Sequence, residues 1–92
     1  MRQPSYSGQF KRDVKQTRKR GKDMSKLKEL MTLLINGESL SAHSLDHPLK
    51  GKWRGFRDAH IEPDWLLIYK IYESESVVRF ERTGRHTDLF KE

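Results

Sequence analysis

The chain has 92 residues and no cysteine; 34% of its residues are hydrophobic, 35% are charged, and the net charge is +6. This length suits a single domain over residues 1–92, and the absence of cysteine excludes disulfides and thiolate metal sites. Because no stretch resembles a signal peptide or approaches the roughly 18 apolar residues of a membrane span, we expect a soluble cytoplasmic protein.

The first half of the chain predicts a strand and a basic helix. A short strand is expected over residues 2–7. Over residues 9–20, Phe10, Val14 and Thr17 recur at helical spacing among Lys and Arg, which predicts a basic amphipathic helix.

A second helix is predicted over residues 23–36. Asp23 is a suitable N-cap and Gly37 stands where a C′ glycine belongs. Its apolar stripe is interpreted as a core face instead of a groove for a partner, because each helix needs one buried side. The stripe consists of Leu27, Leu30, Met31, Leu34 and Ile35.

The positive charge is concentrated in these helices. Residues 11–28 contain nine Lys or Arg against two Asp, a balance of +7, whereas the other residues carry ten basic and eleven acidic groups. Such a segment is typical of a polyanion binder, although a solvated helix face would look the same. We expect Lys15, Arg18 and Lys19 to lie on this basic surface and to contact a polyanion such as RNA.

The second half predicts the rest of a sheet. Residues 38–46 are expected to form a loop anchored by Leu40 and Leu45, after which Pro48 holds His47 extended off the end of the next strand. A hairpin follows, with strands at 53–61 and 65–69 joined by a tight turn at 62–64. A third strand is expected at 77–82, and Leu89 and Phe90 are expected to dock on the sheet and hold His86 in place.

This element order predicts an α+β domain of the type β-α-α-β-β-β. Two helices would pack on one face of a small, mainly antiparallel sheet, and the other face would be open. Strict alternation puts Arg82 on the same side as Phe80, which belongs in the core. Either Arg82 lies beyond the cover of the helices or a β-bulge precedes it.

Five residues are candidates for chemistry: His47, His60, Asp64, Arg82 and His86. A metal site is disfavoured, because the histidines lack the spacing of metal motifs and lie among cationic residues. Attack of a ribose 2′-OH on the adjacent phosphate of RNA needs a base, an acid and positive charge. Imidazoles can supply the first two near neutral pH, and a guanidinium the third. The alternative is that each histidine is an ordinary surface or capping residue.

The sequence also resembles a known family over nearly its whole length. The resemblance includes Y-S-G-Q-F at residues 6–10 and K-D-M-S-K-L-K at residues 22–28, and it is densest over residues 46–70 and 79–90. These motifs are similar to those of bacterial RelE-type toxins, and in particular to the YafQ toxins. The implied fold is a small sheet with two helices packed on one side.

The resemblance implies an mRNA endonuclease of a type II toxin–antitoxin pair, which works in the ribosomal A site and is inhibited by a DinJ-like antitoxin. In that setting Lys15, Arg18 and Lys19 are expected to dock on ribosomal RNA, and the alternative partner of this surface is an acidic segment of the antitoxin. No cofactor is implied. Besides the five chemical candidates, the family pattern falls on Trp65 and Phe90, which we expect to contact RNA. The best-known RelE toxin uses mainly Lys and Arg, so its acid and base assignments transfer less well than its fold.

Two other functions remain open at this point. A ParE-like toxin would share the fold but inhibit DNA gyrase, and would not need the histidines. A non-catalytic RNA- or ribosome-binding module would also leave them without a role.

Overall fold

The computed structural model describes residues 1–90, so the last two residues of the expected domain lie outside the description. The elements are β1 (Gln3–Tyr6), α1 (Gly8–Lys19), α2 (Met24–Ile35), β2 (His47–Pro48), β3 (Arg57–Glu62), β4 (Trp65–Tyr72), β5 (Val77–Gly84) and α3 (His86–Leu89). Single 3₁₀ turns lie at Ala42–Ser44 and Gly51–Trp53. No helix in residues 1–90 is long and apolar enough to cross a bilayer.

The five strands form one sheet in the order β1-β5-β4-β3-β2. The strands β2 to β5 pair antiparallel, and β1 runs parallel to β5. The predicted α+β class is confirmed. Both predicted helices are also confirmed, including the Asp23 cap, whose carboxylate accepts from Ser25 N–H at 3.1 Å, and Gly37, which has φ +74°.

The main core lies between the sheet and the two long helices. It contains ten buried residues: four from α1 and α2, five from β4 and β5, and Ala59 of β3. The predicted stripe of α2 faces this core, since Leu27, Leu30 and Leu34 are buried and Met31 and Ile35 pack against it. These helices therefore make one face of the sheet inaccessible.

The expectation that the other face is open is wrong. Leu66, Ile68 and Leu89 form a second, smaller cluster there, against which Leu49, Trp53, Phe56 and Phe90 pack. The cluster forms because β4 is apolar at every position from 65 to 69, so both of its faces need cover. As predicted, Leu89 and Phe90 dock on the sheet.

Two further expectations are corrected. The strand expected from residue 53 begins only at Arg57, because Gly51 and Gly55 adopt φ of +67° and +95° and turn the chain first. Leu45 is not an anchor: its side chain is 59% exposed, at a residue whose backbone is left-handed (φ 48°).

Candidate active site

Two of the predicted histidines meet at the turn end of the β3–β4 hairpin. His60 lies on β3 and His86 begins α3, and their ring centroids are 5.7 Å apart at an interplanar angle of 74°. The Phe90 ring is 6.2 Å from that of His86. The sheet and the docked tail thus bring the His60 ring to two rings of the C-terminal segment, His86 and Phe90, that are far from it in sequence.

Asp64 fixes the orientation of His86. Its Oδ1 accepts from His86 Nδ1 at 2.8 Å and from the His86 backbone N–H at 3.1 Å. These two hydrogen bonds lower the pKa of Asp64 below its usual value. Because Nδ1 donates to a carboxylate, Nε2 is the ring nitrogen of His86 that remains available for proton transfer.

His47 approaches the same site from β2. Its Nδ1 lies 2.7 Å from the Leu45 carbonyl, which can only accept, so Nδ1 carries the proton. Its Nε2 lies 3.8 Å from Asp58 Oδ2. The unpredicted strand β2 produces this placement by pairing His47 with Asp58.

Asp58 is a site residue that the sequence reasoning missed. It is 3% exposed, and its Oδ1 has no hydrogen-bond partner among residues 1–90. Burial raises the pKa of Asp58, while the charges of His47, His60 and His86 oppose this shift. Asp58 lies two residues before His60 on β3, so the alternation of side chains along a strand puts both on the same face of the sheet. This alternation is the sequence signal that could have identified Asp58.

A β-bulge before Arg82 turns its side chain away from the core. Of the two alternatives that the sequence left open, a bulge or a position beyond the cover of the helices, the structure has the bulge. Tyr69 pairs with Phe80 but Ile68 pairs with Arg82, so Glu81 is the extra residue. Arg82 consequently shares the register of Ile68, on the face of the second cluster. Its guanidinium binds Asp13 of α1, with Nε donating to Oδ2 at 2.7 Å and Nη2 to Oδ1 at 3.2 Å.

Direct RNA contact by Trp65 is contradicted by the structure. The side chain is 1% exposed and belongs to the main core. Its indole N–H donates to Thr83 Oγ1 at 3.0 Å, so the polar atom of the ring is also occupied inside the fold. The all-apolar run of β4 buries Trp65, so any effect of this residue on function must pass through its neighbours.

The basic helix lies next to the site at one end. Lys15, Arg18 and Lys19 are exposed on α1. Just after the helix, Arg20 Nη1 donates to Asp88 Oδ2 of α3 at 2.7 Å, and this contact lowers the pKa of Asp88 to about 2. The ion pair connects the cationic surface to the short helix that carries His86.

The part of the chain that the structure describes contains no group of three or more His, Cys, Asp or Glu side chains arranged to hold a metal ion. The site is a solvent-accessible cluster, with the His47 and His86 side chains each 51% exposed. Its chemical resources are three imidazoles, of which that of His86 is hydrogen-bonded to a carboxylate, together with one guanidinium nearby in the sheet.

A family profile described as "Bacterial toxin of type II toxin-antitoxin system, YafQ" matches residues 2–91. The chain belongs to the YafQ toxin family. It is therefore a toxin of a type II toxin–antitoxin system, as the sequence resemblance implied.

Individual YafQ proteins are similar over almost the full chain. The mRNA interferase toxin YafQ of Escherichia coli K12 is 60% identical over 86 residues, which cover 92% of this chain and 91% of that protein. The crystal structure of YafQ from E. coli BL21(DE3) has a TM-score of 0.91 at 57% identity, covering 98% of this chain and 99% of that one. YafQ in the E. coli DinJ–YafQ complex gives a TM-score of 0.89 at 58% identity, with 98% and 99% covered.

Proposed function

We propose that this toxin is a metal-independent endoribonuclease that cuts translated mRNA in the ribosomal A site. The observation that carries the proposal is geometric: the His60 ring lies 5.7 Å from that of His86, and His47 Nε2 lies 3.8 Å from Asp58, which is on the same strand as His60. The E. coli relative is named an mRNA interferase, which supports the same reaction class. A gyrase inhibitor or a passive RNA-binding module would give this histidine cluster no task.

His86 is the proposed general acid. Its Nδ1–H is held by Asp64, so the imidazolium can donate its Nε2 proton to the leaving 5′-oxygen while Asp64 stabilises the charge. In this arrangement Asp64 orients the acid and does not itself take up a proton.

His60 is the proposed general base for the 2′-OH. Its ring lies against that of His86, and in residues 1–90 its side chain makes no hydrogen bond, so a ring nitrogen is free to accept a proton. His47, whose Nε2 faces Asp58, is the second candidate for the base. The attack forms the 2′-O–P bond and breaks the P–O5′ bond, which gives a 2′,3′-cyclic phosphate and a 5′-hydroxyl.

Arg82 is proposed to bind the non-bridging oxygens of the scissile phosphate and to stabilise the phosphorane. The Phe90 ring, half-buried beside His86, is proposed to stack on a base next to the cut. Neither role needs a cofactor.

The ribosome is proposed to align the message. An exposed cluster of side chains cannot by itself force a flexible strand into the in-line geometry that the attack needs. The cations of α1 would hold the toxin on ribosomal RNA. The proposed inhibitor is a DinJ-like antitoxin, by analogy with the E. coli complex, and the proposed compartment is the cytoplasm, where ribosomes translate.

The test is single-turnover cleavage on ribosomes that hold mRNA. We expect His86→Ala and Arg82→Ala each to lower the rate by about 10²–10⁴ with binding little changed. Glu75→Ala is the control, since Glu75 is exposed in the turn at the other end of β4 from the site, and it should cut at the wild-type rate. Free RNA should be cut poorly.

Three results would contradict the proposal. They are wild-type rates in both variants, products that carry a 5′-phosphate, and efficient cleavage of free RNA by the purified toxin. Gyrase-dependent DNA damage without mRNA cleavage would instead support the ParE-like function.

A further inference from the structure

A buried carboxylate lies within the most basic segment of the chain. Asp13 of α1 is 8% exposed, although its helix is otherwise rich in Lys and Arg. It accepts both hydrogen bonds of the Arg82 guanidinium, and also accepts from the Thr83 backbone N–H at 3.1 Å and from Gln9 Nε2 at 3.0 Å. A carboxylate with four donors is held in one orientation.

The position of Asp13 follows from the shape of the sheet. The parallel strand β1 pairs only with residues 77–80 of β5, so the last part of β5 has no strand on that side. Asp13 takes the place of a strand there by accepting the Thr83 N–H. The bulge at Glu81 brings Arg82 to the same carboxylate.

The pairing leaves much of the Arg82 guanidinium free. A guanidinium has five N–H groups in a fixed plane. Asp13 uses one on Nε and one on Nη2, so both N–H groups of Nη1 and one of Nη2 remain. These three point away from the paired edge, and two of them suffice for a bidentate contact with a phosphate.

Trp65 supports the same unit from inside the core. Its indole N–H donates to Thr83 Oγ1, and Thr83 Oγ1 in turn donates to the Leu66 carbonyl at 2.7 Å. Thr83 is therefore held by its side chain on β4 and by its backbone on Asp13. The buried indole therefore contacts Thr83, which directly follows Arg82 in the chain, and can influence the position of Arg82 through it.

We propose that Asp13 is a positioning residue that directs the free edge of Arg82 at the scissile phosphate, and that Trp65 fixes the same end of β5 through Thr83. The inference rests on the proposed function, in which Arg82 binds that phosphate. Asp13 has two anchors besides Arg82, so the carboxylate keeps its place when the guanidinium binds RNA. A carboxylate that merely sequestered Arg82 would have the opposite effect, because its removal would raise activity.

The test uses Asp13→Asn in single-turnover cleavage on ribosomes, with an ordinary message and with messages that carry sulfur in place of one non-bridging oxygen at the cut. Sulfur is a poorer hydrogen-bond acceptor, so it reports whether a guanidinium contacts that oxygen. We expect Asp13→Asn to lower the rate roughly tenfold to a hundredfold at unchanged apparent affinity. The loss of rate caused by the sulfur substitution should also be smaller in Asp13→Asn than in wild type. The double variant Asp13→Asn with Arg82→Ala should be no slower than Arg82→Ala alone.

The matched control is Glu81→Gln. It removes a carboxylate from the same strand and breaks the ion pair of Glu81 with Arg79, whose Nε lies 3.2 Å from Glu81 Oε1. We expect a wild-type rate and a wild-type sulfur effect. If Asp13→Asn does not fold, Trp65→Phe keeps an aromatic ring at this position but loses the indole N–H, and should cause a smaller loss of rate with the same reduced sulfur effect.

Additive effects of Asp13→Asn and Arg82→Ala, a rate above wild type in Asp13→Asn, or an unchanged sulfur effect would each overturn the positioning role. A slow Arg82→Ala variant with a wild-type Asp13→Asn variant would overturn this inference alone. Wild-type rates in both His86→Ala and Arg82→Ala would overturn the proposed function and this inference with it.

Discussion

The two faces of the sheet differ in what they bury. Among residues 1–90, the helix-covered face has ten buried core residues, whereas the opposite face has three, Leu66, Ile68 and Leu89. The larger core is bounded by long helices, the smaller one by short segments and by α3. Because burial of apolar area is the main stabilising term, most of the folding free energy comes from the helix side.

The smaller cluster nevertheless determines the geometry of the candidate site. Leu66 and Ile68 lie between the strand that carries His60 and the strand that carries Arg82. Leu89 anchors the helix that begins with His86. The helix-covered face thus provides most of the stability. The opposite face has a small apolar cluster that positions titratable side chains at the surface.

A pair of identical substitutions would separate the two roles. Leu27 and Leu89 are both 3% exposed, one on each face. We expect Leu27→Ala to cost about 3–5 kcal/mol of unfolding free energy and Leu89→Ala about 2–3 kcal/mol, because a one-turn helix can shift to fill the space. Urea denaturation of both variants measures this difference.

For the rate of mRNA cleavage, the order of the two variants should be reversed: Leu89→Ala should lose more activity than Leu27→Ala. Per folded molecule, Leu27→Ala should cut mRNA at the wild-type rate, whereas Leu89→Ala should lose at least tenfold because His86 is displaced. Single-turnover cleavage, corrected for the folded fraction, provides the comparison. A normal rate in Leu89→Ala with a reduced rate in Leu27→Ala would show that the smaller cluster does not position the site.

Asp58→Asn should sharpen the contrast, since it is expected to improve stability and impair function. It removes a buried carboxylate that lacks a partner at Oδ1, so at pH 7 we expect a gain on the order of 1 kcal/mol. The cleavage rate should fall roughly tenfold or more, because the three histidines lose their shared negative charge.

The sign of the pH dependence follows from the raised pKa of Asp58. Below the ordinary Asp pKa the carboxyl is protonated in the folded and unfolded states, so wild type and Asp58→Asn should be equally stable. As the pH rises through the folded-state pKa, wild type loses stability and the variant does not. Urea titrations at pH 3 and pH 7 would reveal this, and a constant difference between the two would refute it.

The smallest expected effect concerns the outer surface of α1. Changing Lys15, Arg18 and Lys19 to Gln should leave both cores and the cleavage position unchanged. Ribosome binding should weaken, and the slope of log affinity against log salt should fall by about one for each phosphate contact that is lost. Binding measured across a salt series tests this, and identical slopes for wild type and variant would remove this surface from the docking interface.

Local patterns determined much of the molecule. The Asp23 cap, the stripe of α2 and Gly37 define a helix through contacts within a few residues, and the sequence predicted it. The turn at 62–64 and the apolar run of β4 predicted the hairpin in the same way. The histidines and Arg82 were recognisable because their residue types suit one reaction.

Only the tertiary structure decided how these residues meet. The sequence could not show that Asp13 holds Arg82, 69 positions away, nor that Asp58 lies beneath the histidines instead of facing solvent. It also favoured an RNA contact for Trp65, which the sheet buries. Local propensity reports each residue's own conformation, whereas these placements depend on strand order, on a bulge and on long-range pairings that no short window of sequence contains.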